Sequence, residues 1–313
     1  MYPTIRPLTQ ADLDAANALS MAAYGGPVDR RGGLARTLAV APEGLLLAEW
    51  DGRPVGVGSA ILYGPFAWIG AVAVAPELQR RGIAGAIVTR LLAYIADRGC
   101  PLTLLDASAA GEALYARLGF VQDDVVHRYQ LPPVPAPGTA VPEALAPERG
   151  FGTRCAASPR DSVRARGADS VPDGVAPLRP SDLEAVAAFD APLFGGDRRA
   201  LLASLLADFP DRAWLHRDRH GAIDGYLIAQ AWTLGPWMAS HARAGATLFS
   251  RALALPEVTD LGILVPGANE AGMRLLERAG LTRRRTLRHL RLGAAPSPQR
   301  RARIWGQASF GWG

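Results

Sequence analysis

Apolar and polar positions in the first 131 residues alternate with the period of strands and then with that of helices. The predicted strands cover 45–50, 55–63, 66–74, 102–106 and 125–131. The predicted helices contain Val88, Leu91, Leu92 and Ile95 in one case and residues 110–118 in the other. Asp51-Gly52 predicts a hairpin turn, and Gly99 and Gly119 mark the helix ends. This order predicts a mixed sheet flanked by helices.

The second half of the chain repeats features of the first in the same order. ADLDAANALSMAAYGG at 11–26 aligns without gaps to SDLEAVAAFDAPLFGG at 181–196, and ALYARLGF at 113–120 parallels RLLERAGL at 274–281. Repeated segments in one order predict a duplicated domain. We therefore expect an α/β (α+β) fold with a mixed, mostly antiparallel sheet in two copies.

Residues 132–177 lack this periodicity and are rich in Pro, Ala, Gly and Arg. Proline removes backbone donors, and few large apolar residues are present to be buried. The sequence thus predicts a first domain at 1–131, a linker at 132–177, a second domain at 178–292 and a tail at 293–313.

The composition excludes few classes of function. The net charge of +5 would suit a nucleic-acid partner, but all 34 basic residues are Arg and are spread along the chain, so that role is not expected. Cys100 and Cys155 match no metal-ligand spacing. No run of 18 apolar residues predicts a membrane span. A cytoplasmic protein, monomeric or homodimeric, is expected.

The segment AVAVAPELQRRGIAGAIV at 71–88 carries the strongest chemical signal. A strand ends at Val74, and Gln79-Arg80-Arg81-Gly82-Ile83-Ala84 opens a helix, whose first N–H groups have no intrahelical partners. Such a turn suits a pyrophosphate. The alternative is an ordinary strand-to-helix turn whose glycines ease packing.

QRRGIA fits the [Gln/Arg]-x-x-Gly-x-[Gly/Ala] pattern of the GNAT superfamily of acyl-CoA-dependent N-acyltransferases, which residues 4–131 resemble. IRPLTQADL upstream and LYARLGF downstream are also similar to that family. The resemblance implies acetyl-CoA as cosubstrate, held between two separating strands, and a small-molecule or amino-acid-like amine as acceptor. The implied cofactor-binding residues are Val72, Ala73, Val74, Gln79, Arg80, Arg81, Gly82, Ile83, Ala84, Gly85 and Ser108.

The same resemblance implies two catalytic residues. Tyr115 lies where the family often places the acid that protonates the departing thiolate; the alternative is a half-buried core aromatic. Many members of the family use a Glu on or near the fourth strand as base, but the predicted strand 66–74 contains no acid. Asp106 is then the best-placed base, with a helix-capping or hydrogen-bonding role as the alternative. Ser108 departs from the Asn common at that position, which puts its cofactor contact in doubt.

The second half is similar to a degenerate copy. Leu276 replaces the Tyr, and LGPWMASHARAGATLF lacks the phosphate pattern, although Asn269 is retained. This copy is expected to shape the acceptor pocket or an interface, whereas an acyl-CoA sensor without transfer activity is the alternative function for the whole chain. His216 and His220 are interpreted as a solvated hairpin rather than a metal site, and Arg283–Arg285 as a solvated strand face rather than an anion-binding patch.

Overall fold

The computed structural model describes residues 3–25, 28–130, 174–255 and 262–313. The first half contains β1 (Thr4–Pro7), α1 (Leu13–Tyr24), α2 (Arg31–Val40), β2 (Leu45–Trp50), β3 (Arg53–Leu62), β4 (Ala67–Val74), α3 (Ile83–Asp97), β5 (Thr103–Ala107), α4 (Ala109–Arg117) and β6 (Val121–Gln130). The second half contains β7 (Val175–Pro177), α5 (Leu183–Phe194), α6 (Arg199–Asp208), β8 (Ala213–Arg217), β9 (Ile223–Ala229), β10 (Leu234–Ala239), α7 (Ala242–Leu253), β11 (Gly262–Pro266), α8 (Glu270–Arg278), β12 (Thr282–Leu292) and β13 (Ile304–Gly306).

The two halves have the same order of elements up to β12, which confirms the predicted mixed fold in two copies. They also share a local detail at α2 and α6. The backbone N–H of Arg31 donates to the Asp29 carboxylate, and that of Arg199 donates to Asp197, both at 2.8 Å. The sequence analysis did not predict these two helices. Helix α2 has no regular apolar stripe, since it buries Arg36 and Thr37 beside Leu34. Helix α6 buries Leu201, Leu202, Leu205 and Leu206, a helical spacing that the sequence analysis overlooked.

Strands from the two halves interleave in one large sheet. Its order is β1-β2-β3-β4-β5-β12-β6-β11, so β12 of the second half lies between β5 and β6 of the first. In return, β6 lies between β12 and β11 of the second half. The strand pairing therefore crosses the division into 1–131 and 178–292 that the sequence suggests.

The remaining strands form a second sheet, in the order β13-β10-β9-β8-β7. Residues 132–173 of the expected linker lie outside the described residues. The end of that linker was predicted wrongly, since Val175–Pro177 is strand β7 and pairs with β8.

Helix α3 packs on the first half of the large sheet through the face that the sequence predicts. Val88, Leu91 and Ile95 are buried there, together with Ile87, against strand residues such as Ile69 and Leu105, whereas the predicted Leu92 is only partly buried. Burial of an aliphatic side chain of this size stabilises a fold by about 1.5–3 kcal/mol. These contacts fix the start of α3 beside the end of β4.

The tail at 293–313 is part of the folded structure. Its strand β13 pairs with β10, and the segment beyond it lies against β4. The Trp68 indole donates to the Phe310 carbonyl at 3.1 Å, and the Tyr63 hydroxyl donates to the Trp312 carbonyl at 2.8 Å. A Cβ at Gly70 would lie 2.3 Å from the Gly311 Cα, so only glycine permits this close approach.

Candidate active site

Strands β4 and β5 are paired over only part of their length. Their parallel register joins Ala67 to Thr103 and Trp68 to Leu104, and no further pair follows. Both strands continue beyond this point, to Val74 and Ala107. They therefore separate and leave an open edge on β4, as the family resemblance implies.

A β-bulge interrupts β4 at this separation. Ser59 of β3 pairs with Gly70 and Val57 pairs with Ala73, so Ala71 and Val72 together lie opposite the one intervening residue. Ala71 has a φ of +51°, which costs a non-glycine residue about 1–2 kcal/mol. Bulges and strained residues redirect backbone groups and are common beside functional sites. The strained residue Ala71 therefore lies where a ligand between β4 and β5 would contact β4.

The turn after β4 brings an uncapped helix start to the same opening. Gly82 is the N-cap of α3, with a φ of +83° and no side-chain cap. The Gln79 side chain donates to the Val74 carbonyl at 3.2 Å, which ties the turn to the end of β4. Arg80 also has a positive φ, of +64°. The amides at the start of α3 are thus free of side-chain caps, in an arrangement suited to a phosphate group.

Tyr115 projects from α4 into the core between α3, α4 and β5. It is 8% exposed and its ring meets Phe120 edge-on, with the centroids 5.6 Å apart. Burial raises the pKa of Tyr115 well above its usual value, and the nearby Tyr24 adds to this effect. A phenol keeps its proton at neutral pH even at its usual pKa, so the shift preserves the protonated form that a general acid requires but weakens its acidity.

Asp106 lies on β5 and is paired with a residue of the second half. One carboxyl oxygen is 2.8 Å from Nδ1 of His289 on β12, and both side chains are fully buried. The other carboxyl oxygen and His289 Nε2 have no hydrogen-bond partner among the described residues. This burial is at odds with direct proton transfer from a solvated amine and favours a positioning role for Asp106.

Ser108 and Asn269 occupy corresponding N-cap positions of α4 and α8 but behave differently. The Asn269 side chain accepts from the Gly272 N–H at 2.8 Å and donates to the Ile304 carbonyl at 2.9 Å. Ser108 makes no side-chain cap, so it has no structural contact that would compete with a ligand. The retained Asn of the second half thus holds α8 and the tail.

The opening between β4 and β5 in the first half corresponds to a gap between β10 and β11 in the second half, and that second gap is filled. Strand β13 pairs with β10 at Trp237 and Met238, and the N–H of Gln307 donates to Leu264 of β11 at 2.9 Å. The start of α7 is also capped, because the His241 side chain accepts from the Ala244 N–H at 3.3 Å. Leu276, in the place of Tyr115, is fully buried.

The histidines of the second half differ from the sequence interpretation. His220 lies in the exposed turn, but His216 is buried, with Nδ1 2.5 Å from the Asp224 carboxylate, so a solvated position was wrong for His216. Within the described residues no group of three His, Cys, Asp or Glu side chains could hold a metal ion. No helix in that part of the chain has the length and apolar character needed to cross a membrane.

Sequence reasoning missed two residues beside the opening. The Tyr24 hydroxyl donates to the Val72 carbonyl at 2.8 Å, and His289 contacts both Asp106 and the Trp68 ring. The aromatic-Gly-Gly end of α1 was a signal for Tyr24, although it was interpreted only as a helix end. His289 gave no local signal, because its partner is 183 residues away.

His289 should make stability depend on pH. Burial lowers the pKa of His289, and Arg301 adds to this shift, so the folded protein holds the ring neutral. Below pH ~6.5 the unfolded chain binds a proton that the folded chain does not, and stability should fall by at most about 1.4 kcal/mol per pH unit from this group. The free energy of unfolding, measured by thermal unfolding between pH 5 and 8, should depend less steeply on pH in His289→Gln than in the unmodified protein. Equal slopes would contradict this assignment.

The mixed, mostly antiparallel sheet flanked by helices, with the same order of elements in both halves, matches the acyl-CoA N-acyltransferase fold. Two family models match the chain: the acetyltransferase (GNAT) family at residues 15–120 and an acetyltransferase (GNAT) domain at 186–306. The chain therefore belongs to the GNAT acetyltransferases and carries two such domains in tandem.

Solved structures with the same fold match nearly the whole chain. A protein from Pyrococcus horikoshii assigned as an acetyltransferase has a TM-score of 0.76 and 24% identity, over 99% of this chain and 96% of its own. A GCN5-related N-acetyltransferase from Sphaerobacter thermophilus has a TM-score of 0.61 and 16% identity, over 94% and 98%. A tandem GNAT protein from the clavulanic acid biosynthesis pathway has a TM-score of 0.60 and 16% identity, over 94% and 99%. No curated protein matches the chain at a significant level.

Proposed function

We propose that the chain transfers an acetyl group from acetyl-CoA to the amine of a small-molecule or amino-acid-like acceptor, by direct attack while both are bound. The separation of β4 from β5 next to the uncapped start of α3 is the observation that carries the proposal. Family membership supports acyl transfer in general. Acetyl-CoA supplies a thioester carbonyl that an amine can attack.

The residues of the opening fit this cosubstrate. The open edge of β4 would receive an extended pantetheine arm along Val72, Ala73 and Val74, in the manner of an added strand. The carbonyls of Val72 and Val74 already accept from Tyr24 and Gln79, so the arm would bond to other backbone groups of this edge. The amides from Arg80 to Gly85 would hold the pyrophosphate, and Arg81 adds positive charge. The bulge redirects the backbone of β4 at Ala71, and an N–H of this segment would stabilise negative charge on the reacting carbonyl if it met that oxygen.

Proton transfer is assigned to Tyr115 as general acid for the departing thiolate. Asp106 acts with His289, which it orients, rather than as a solvent-exposed base. An acceptor amine with a pKa near 10.4 is neutral only in roughly one part per thousand at pH 7. Selection of the neutral amine by the site, together with loss of a proton to water, completes the transfer.

A thiol-release screen over amines, aminoglycoside antibiotics, amino acids and peptide N-termini tests the proposal. We expect release of free CoA that depends on one class of amine. Acetyl-CoA binding without release by any amine would instead support the alternative, an acyl-CoA sensor without transfer activity.

One acetyl-CoA should bind per chain. In the second half, β13 fills the gap between β10 and β11, and His241 caps the helix that would receive the phosphates. Calorimetric titration of the full-length protein should therefore give a stoichiometry near one. Two equivalent sites per chain would contradict the structural difference between the halves.

A further inference from the structure

We propose that the acceptor carries an anionic group, a carboxylate or a phosphate, in addition to its amine, and that Arg30, Arg128 and Arg285 bind it. The inference rests on the proposed acetyl transfer and specifies the chemical class of its acceptor. It follows from the positions of these three arginines and from their lack of ion pairs within the described residues.

Arg30 contacts Tyr24 beside the opening of β4, Arg285 lies within electrostatic reach of Tyr24, and Arg128 lies within electrostatic reach of Arg30. The Arg30 guanidinium lies 5.1 Å from the centroid of the Tyr24 ring, whose hydroxyl donates to the Val72 carbonyl. Tyr24 is 48% exposed, and the protein around it raises its pKa to about 12 by desolvation, against the opposing effect of Arg30 and Arg285. Charges from both halves of the chain therefore reach the same point.

Arg128 and Arg285 stand directly opposite each other on β6 and β12. Strand β6 belongs to the first half and β12 to the second, so Arg128 and Arg285 lie opposite each other only because the strands of the two halves interleave in one sheet. Like charges at directly opposed positions of an antiparallel pair destabilise a sheet. An anion bound between them would offset that repulsion.

Within the described residues, none of the three arginines forms an ion pair. The Arg30 guanidinium donates to the Val28 carbonyl, and burial together with the charge of Arg128 lowers its pKa. The acid on the same face of β6, Asp124, is already bound to Arg301 at 2.7 Å. By contrast, Arg288 and Arg291 of β12 are paired with Glu112 and Asp123. The cluster thus retains its positive charge for a ligand.

The position of the cluster suits an acceptor rather than the cosubstrate. The phosphate turn lies beyond the end of β4, whereas Tyr24 and Arg30 lie alongside the bulge, with Arg285 within electrostatic reach. An amine acceptor whose anionic end is held by guanidinium groups would present its other end to the opening. Guanidinium groups bind carboxylates and phosphates through paired hydrogen bonds, which fixes orientation as well as charge.

The test compares matched probes, in the CoA-bound protein for binding and with acetyl-CoA supplied for turnover. Calorimetric titrations would use succinate against succinamide and phosphoethanolamine against ethanolamine, and thiol-release assays would use β-alanine against β-alaninamide and the second pair again. We expect the more anionic member to bind and to react about 10- to 100-fold better, the scale of one or two charge-assisted hydrogen bonds. The carboxylate and phosphate pairs distinguish the two sources of the anion.

Arg128→Gln and Arg285→Gln should each remove most of this preference without changing acetyl-CoA affinity. Arg274→Gln removes the same charge from an exposed ion pair on α8 and serves as the matched control. Both test variants should fold, because each relieves a like-charge pair.

A preference for the anionic probes that persists in both variants, or no preference in the unmodified protein, would overturn the inference. If no probe causes thiol release but the titrations still show tighter binding of the anionic probes, the proposed acetyl transfer would be refuted and the anion site would be retained.

Discussion

Replacement of Tyr115 by Phe should lower kcat by about 100-fold or more, the usual effect of losing a general acid, and leave acetyl-CoA affinity nearly unchanged. The substitution keeps the ring that packs edge-on against Phe120 and removes only the hydroxyl. The raised pKa of Tyr115 means that this hydroxyl is protonated throughout the neutral range. Activity should therefore survive up to a pH well above neutrality before the acid is lost.

Tyr94→Phe is the matched control for this measurement. Tyr94 lies on α3, with its ring 4.2 Å from the Arg98 guanidinium and away from α4. It should leave kcat and acetyl-CoA affinity unchanged. An unchanged kcat in Tyr115→Phe, with chemistry as the rate-limiting step, would remove Tyr115 from the mechanism and restore its interpretation as a core aromatic.

Gly82→Glu should abolish acetyl-CoA binding, with a loss of at least about 100-fold. The new carboxylate would stand at the N-terminus of α3, where repulsion and steric exclusion would cost a bound pyrophosphate several charge-assisted hydrogen bonds, each of about 1.5–3 kcal/mol. Isothermal titration calorimetry of the folded variant measures the loss.

The positive φ of Gly82 requires a control for backbone strain. Gly99, at the other end of α3, has a φ of +66°, and at both glycines a Cβ would have no atom within 4 Å. Gly99→Glu therefore introduces the same side chain with similar strain but far from the turn. Unchanged affinity in Gly82→Glu, or an equal loss in both variants, would refute the assignment of the phosphate turn.

Local sequence signals predicted the parts of the site that lie close together in the chain. The strand ending at Val74, the turn through Gly82 and the face of α3 are all encoded within about 20 residues. The periodicity of buried positions and the glycine-containing turn were therefore sufficient. The bulge at Ala71 has no such signal, since alanine rarely adopts a positive φ.

The parts contributed by the second half could not be predicted in the same way. His289 meets Asp106, and Arg285 meets Arg128, only because β12 enters the sheet of the first half. Periodicity indicates that a segment is a strand but not which strand it pairs with. Asp106 and Arg285 were accordingly interpreted as a catalytic base and as part of a solvated strand face.

The position of β12 between β5 and β6 in the large sheet also determines when the protein can fold during its synthesis. After the ribosome has made β5 and β6, the strand that belongs between them lies at Thr282–Leu292, more than 150 residues further along the chain. Until it emerges, β5 and β6 expose unpaired edges, which are templates for aggregation. Closing so long a loop is also entropically slow. We therefore expect the nascent chain to depend on chaperones until translation is nearly complete.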